Sequence, residues 1–175
     1  MSVHTGSAHS SPTRIDPRGP RFAATLTTAV LAIVLLTAPS AMALILLAAQ
    51  TLVFAVGAAA GVSRSPYAWF FKTLVRPRLA PPTETEDAAP PRFAQAVGLV
   101  FAVVALVGYL SGATLLGAVA TGFALGAAFL NAAFGFCLGC EVYLLARRIA
   151  PARSENQTSP HQGAGTRPAS TEVSA

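Results

Sequence analysis

Residues 22–62 read FAATLTTAVLAIVLLTAPSAMALILLAAQTLVFAVGAAAGV. This stretch is two apolar runs, Phe22–Ala38 and Ala41–Val62, separated only by Pro39-Ser40, and neither run holds a charged residue. Each has about the 17–25 residues that a helix needs to cross roughly 30 Å of hydrocarbon. A helix is the open-ended structure that satisfies its own backbone in lipid, and two linking residues permit only a tight reversal. The stretch therefore predicts a membrane-spanning helical hairpin. The same arrangement recurs downstream. Phe93–Leu110 and an apolar stretch beginning at Ala113 are separated by Ser111-Gly112 alone.

Composition agrees. Of 175 residues, 53% are apolar and 11% charged, where soluble domains average about 45–50% and about a quarter. Two cysteines do not staple a secreted scaffold of this length. A net charge of +5 does not make a nucleic-acid binder, because the basic residues are scattered between apolar runs rather than gathered on one face. The expected fold is an all-α integral membrane protein with four transmembrane helices, as two hairpins spanning about 22–38, 41–62, 93–110 and 113–135. Residues 21–149 form this domain. Residues 1–20 and 150–175 read as disordered polar segments, and His4, His9 and His161 all fall within them.

Charge placement predicts orientation. Arg14, Arg18 and Arg21 precede the first span; Arg64, Lys72, Arg76, Arg78 and Arg92 lie between the second and third. Arg147, Arg148, Arg153 and Arg167 follow the fourth, while both short turns are uncharged. The positive-inside rule then puts both termini and the central loop in the cytoplasm, making a multi-pass protein of the cytoplasmic membrane. Ala41-Met42-Ala43 has the form of a signal-cleavage site, but Leu44 onward continues into another membrane-length run, so the segment is read as a span.

In the central loop, Ser65 and Pro66 open a short helix over 66–76. Tyr67, Phe70, Phe71, Leu74 and Val75 follow one-face spacing, as in an amphipathic helix lying at the membrane interface. Leu79–Pro91 is proline-rich and acidic, and reads as an extended linker. Glycine pairs Gly57/Gly61, Gly122/Gly126 and Gly135/Gly139 point to close helix approach and leave a homo-oligomer open. The polar residues at membrane depth, among them Thr25, Thr27, Thr28, Gln50, Gln95, Thr121 and Asn131, are read as bonds between helices.

The fourth apolar stretch reaches about Ala146, longer than one crossing needs, so it either projects beyond the bilayer or breaks, with Gly135 and Gly139 the expected break points. There lie Cys137, Cys140 and Glu141, the candidate catalytic residues. A C-x-x-C pair three residues apart shares one helix face and can exchange between dithiol and disulfide. If a helix restarts near Gly139, amides at its N-terminus stabilise a thiolate, while the Glu141 carboxylate opposes the thiolate but can carry protons. The same residues also fit plain packing beside two glycines, or a metal shared between protomers. One pair without histidine does not complete a zinc site within this chain, and no metal or cofactor is assigned.

Ile15-Asp16-Pro17-Arg18, Pro91-Arg92-Phe93-Ala94-Gln95-Ala96-Val97-Gly98 and the stretch from Asn131 to Tyr143 (NAAFGFCLGCEVY) resemble the signature segments of a bacterial membrane family, domain of unknown function 4395. The resemblance covers about residues 14–148. It implies a cytoplasmic-membrane protein of a kind common in actinobacteria, without an established activity. It also implies a setting beside genes for thioredoxin-like proteins and sulfurtransferases. Besides the lipid bilayer, a thioredoxin-like or sulfurtransferase partner follows from that resemblance. The expected function is a membrane component of thiol-disulfide or sulfur transfer. The alternative is a non-catalytic membrane scaffold whose cysteines only pack; whether the chain is an enzyme is left open.

Overall fold

The computed structural model describes residues 14–82 and 85–149. Four long helices dominate it: α1 Arg18–Thr37, α2 Ala41–Ala60, α4 Ala89–Leu110 and α5 Thr114–Phe134. Between α2 and α4 lies α3, Pro66–Phe70, and after α5 comes α6, Leu138–Ile149. All four long helices are long and apolar enough to cross a membrane, so the architecture is that of an all-α, multi-pass membrane protein. In packing order the bundle runs α1, α2, α4, α5 and back to α1. Its core is thin. Leu31 and Val34 meet Leu47, Phe54, Ala102, Ala105, Tyr109, Ala120 and Ala124, while Leu36, Ile45, Leu52, Val100, Leu115 and Phe123 stay exposed. Apolar side chains on the outside of such helices are what a lipid solvent selects.

Three helices begin differently from the apolar runs that predict them. α1 starts at Arg18, four residues before Phe22, because Asp16 accepts the Arg18 N–H at 3.0 Å and its carbonyl accepts that of Gly19 at 3.1 Å. Likewise α4 starts inside the expected linker. Asp87 accepts the Ala89 N–H at 3.0 Å, and prolines in the first turn lose no hydrogen bond there. The third difference is α6, a separate helix. Residues 14–20, read from the sequence as part of a polar lead-in, are ordered: Arg14–Ile15 (β1) pairs antiparallel with Glu86–Asp87 (β2). Residues 1–13 and 150–175 lie outside the described residues.

The polar groups in the spans mostly bond their own helix. Thr25, Thr28 and Thr121 each donate to the carbonyl four residues back, at 3.0, 2.8 and 2.8 Å. Gln50 does cross helices. Only 1% exposed, it donates to Thr27 of α1 at 3.3 Å and accepts from the Tyr67 hydroxyl of α3 at 2.7 Å. Burial pushes the Tyr67 phenol up from its ordinary value, so it remains a donor at neutral pH. That network anchors the central loop to the bundle. Arg92 adds a second tie, donating to the carbonyls of Ala58 and Ala59 at 2.7 Å each and so satisfying the open end of α2.

The apolar face expected over 66–76 is divided by a π-helical turn at Phe71–Val75. Tyr67 and Phe71 turn inward, with Phe71 stacked 5.7 Å from Phe22, whereas Trp69, Phe70 and Leu74 are exposed. The glycine pairs also divide. Gly57 faces Gln95 closely, but a Cβ at Gly122 or Gly126 would meet nothing within 4 Å among the described residues.

Candidate functional site

The fourth apolar stretch breaks at Gly135, the first of the two expected points. α5 ends there because Gly135 adopts φ +70°, a left-handed conformation that favours glycine, and returns its N–H to Asn131 at 3.0 Å. The chain then restarts as α6 at Leu138. Cys137 is the residue just before that helix. Its carbonyl accepts the Glu141 N–H at 3.0 Å and its sulfur accepts the Cys140 N–H at 3.3 Å. This is the arrangement of a helix N-cap, with sulfur in the place usually taken by a serine or threonine oxygen.

Cys137 and Cys140 are joined as a disulfide, their Cα atoms 5.2 Å apart. Both are half-buried. Glu141 follows on the same turn and is exposed. The structure thus brings the two cysteines together, with Glu141 tied to Cys137 by its backbone N–H and its side chain exposed.

α6 is held in place by α4 rather than α5. The two helices approach backbone to backbone at Gly139: a Cβ there would lie 2.6 Å from the Ala94 Cβ and 2.7 Å from its Cα. One turn on, Tyr143 stacks on Phe93 with ring centroids 5.7 Å apart. The second glycine expected to break the helix instead lies within α6 and permits this crossing.

A cavity of about 360 Å³ adjoins the pair, between α1, α4, α5 and the start of α6. Both cysteines border it, as do Arg21, Gln95 and Asn131. Small side chains on facing helices, Ala94, Gly98, Ala127 and Ala128, leave the space. Arg21 also lies beside the α5 break, about one atomic contact from Gly135, where its charge suits the C-terminal end of a helix. Asn131, read from the sequence as a bond between helices, borders the same cavity as the cysteine pair. Arg21 was legible in the sequence only as a topology signal. The alternation of small residues that builds the cavity reads in sequence as ordinary helix packing.

Among the described residues, no group of three His, Cys, Asp or Glu side chains gathers as metal ligands would. No curated protein and no solved structure matches the chain. A family model described as Domain of unknown function (DUF4395) does match, over residues 15–148. With the four long helices and the cysteine pair all inside that match, which spans well over half the chain, the chain belongs to the DUF4395 family.

Proposed function

We propose that the protein is a membrane component of thiol-disulfide exchange, in which Cys137 and Cys140 trade electrons with a thioredoxin-like partner. The observation that carries this reading is the Cys137 sulfur at the N-terminus of α6, accepting the Cys140 amide at 3.3 Å. Amides and helix dipole there favour negative charge on sulfur, so Cys137 is both a good attacking thiolate and a good leaving group. A partner thiolate attacks the Cys137 sulfur, and the Cys137–Cys140 bond breaks with release of the Cys140 thiolate. The partner's second thiolate then attacks the mixed disulfide and releases Cys137. The partner leaves oxidised and the pair remains as a dithiol. Glu141 stands exposed beside the released Cys140 and is the proposed proton carrier.

The membrane placement belongs to the same proposal. The four spans form two hairpins with both ends and the central loop cytoplasmic, following the basic residues. Trp69, Phe70 and Leu74, exposed on the central segment, sit at headgroup depth. The cysteine pair lies at the basic end of the bundle, beside Arg21, and so within reach of a cytoplasmic partner.

Membrane vesicles of opposite sidedness test both parts. Reduced thioredoxin added outside inside-out vesicles should reduce the pair, read by mass-tagged maleimide, and should not do so with right-side-out vesicles. Reduction only in right-side-out vesicles would reverse the orientation. Reduction in neither, with the pair still opened by a small reductant after solubilisation, would sink the exchange reading.

A further inference from the structure

We propose that the cavity beside the cysteine pair is a site for a lipid-soluble quinone, which accepts the electrons the pair receives. This rests on the exchange reading and names what it lacks, a route by which the dithiol returns to the disulfide.

Exchange with a soluble protein needs an exposed sulfur and no interior space. Yet about 360 Å³ lies against both cysteines, within the roughly 300–1,000 Å³ range of small-molecule pockets. The walls are chiefly apolar, including Phe54, Phe101 and Phe123, and the surrounding helices are those fit to span a membrane. The ligand is therefore apolar and drawn from the bilayer. Polar side chains are few: beside the Glu86 carboxylate and the Thr27 hydroxyl stand three groups able to donate, the Arg21 guanidinium and the side-chain amides of Gln95 and Asn131. These three suit a flat ring carrying carbonyl oxygens, and Arg21 favours the negative charge that such oxygens acquire on reduction. The Gln95 oxygen is buried without a hydrogen-bond partner among the described residues, a deficit that a quinol hydroxyl removes when the amide turns toward the cavity.

The step balances. Cys137 and Cys140 lose two S–H protons and two electrons as the S–S bond forms. The quinone gains two electrons and two protons and becomes quinol. Coupled to exchange, the net reaction oxidises a partner dithiol and reduces one quinone.

The test uses the full chain in nanodiscs, with the pair pre-reduced, excess reductant removed and oxygen excluded. Decylubiquinone, whose fully substituted ring resists direct thiol addition, is added while quinone absorbance and free thiols are followed together. One quinol should appear per disulfide formed. Ala127→Phe, which fills the cavity from its α5 wall, should slow the reaction by about tenfold or more while leaving reduction of the pair by thioredoxin unchanged. Quinone should also raise the thermal midpoint of the oxidised wild type but not of Ala127→Phe, a binding readout free of turnover. If decylubiquinone neither oxidises the dithiol nor stabilises the protein while thioredoxin still exchanges, the quinone site is wrong and the exchange reading stands. Equal rates in wild type and Ala127→Phe, or a tightly held lipid chain that quinone does not displace, would also overturn it. Failure of thioredoxin exchange as well would remove the reading beneath it.

Discussion

Cys140→Ser is expected to convert a transient contact into a stable one. The variant keeps Cys137 at the N-terminus of α6, where its sulfur, running the exchange in reverse, attacks the disulfide of the oxidised partner, but it removes the Cys140 thiol that would resolve the mixed disulfide. A mixed disulfide between Cys137 and the partner should therefore accumulate and appear on non-reducing gels as a reductant-sensitive adduct. Cys137→Ser should give little or none, because Cys140 lies within the helix, without the cap position that favours charge on Cys137. The double variant should give none. This asymmetry separates exchange from packing, since two cysteines that only fill space would lose the same small volume in either variant. Equal trapping by both single variants, or trapping by neither, would contradict the assigned order of attack.

The second large effect concerns the crossing of α6 over α4. Gly139→Ala adds one methyl where the Ala94 Cβ and Cα already stand 2.6 and 2.7 Å from its position. α6 must lift off α4, carrying the Tyr143–Phe93 contact and the cysteine pair with it. Overpacking of this kind costs about 1–3 kcal/mol. Alanine is intrinsically the better helix former by about 1 kcal/mol, so the sign of the change decides the matter. Gly126→Ala supplies the contrast, because a Cβ there meets nothing within 4 Å, and this variant should be neutral or slightly stabilising. Thermal unfolding in one detergent checks both. A Gly139→Ala protein as stable as Gly126→Ala, with unchanged exchange, would mean that α6 does not depend on this contact.

The spans were legible because lipid imposes one requirement on every exposed position. Runs such as Ala41–Val62 and Phe93–Leu110 carry that requirement in plain composition, and their lengths match a bilayer. Helix ends were less legible, since they depend on single caps. Asp16 and Asp87 carry α1 and α4 into segments that look like linker. The break at Gly135 was readable because glycine is the cheap residue for a left-handed turn. The direction taken after it was not. That α6 crosses α4 depends on Gly139 meeting Ala94, residues 45 apart in sequence, which no local pattern announces. The cysteine pair itself was plain in the sequence. Its cavity was not, because Arg21, Gln95 and Asn131 come from three helices and meet only through packing.

The most direct measurement is the redox state of Cys137 and Cys140 in intact cells. Cells are quenched in acid and labelled with a mass-tagged maleimide, with and without a brief oxidant pulse. A pair that moves reversibly between dithiol and disulfide is the expected result. A pair that stays reduced, and takes no label until the protein is denatured, would mark the cysteines as buried packing and contradict the exchange function.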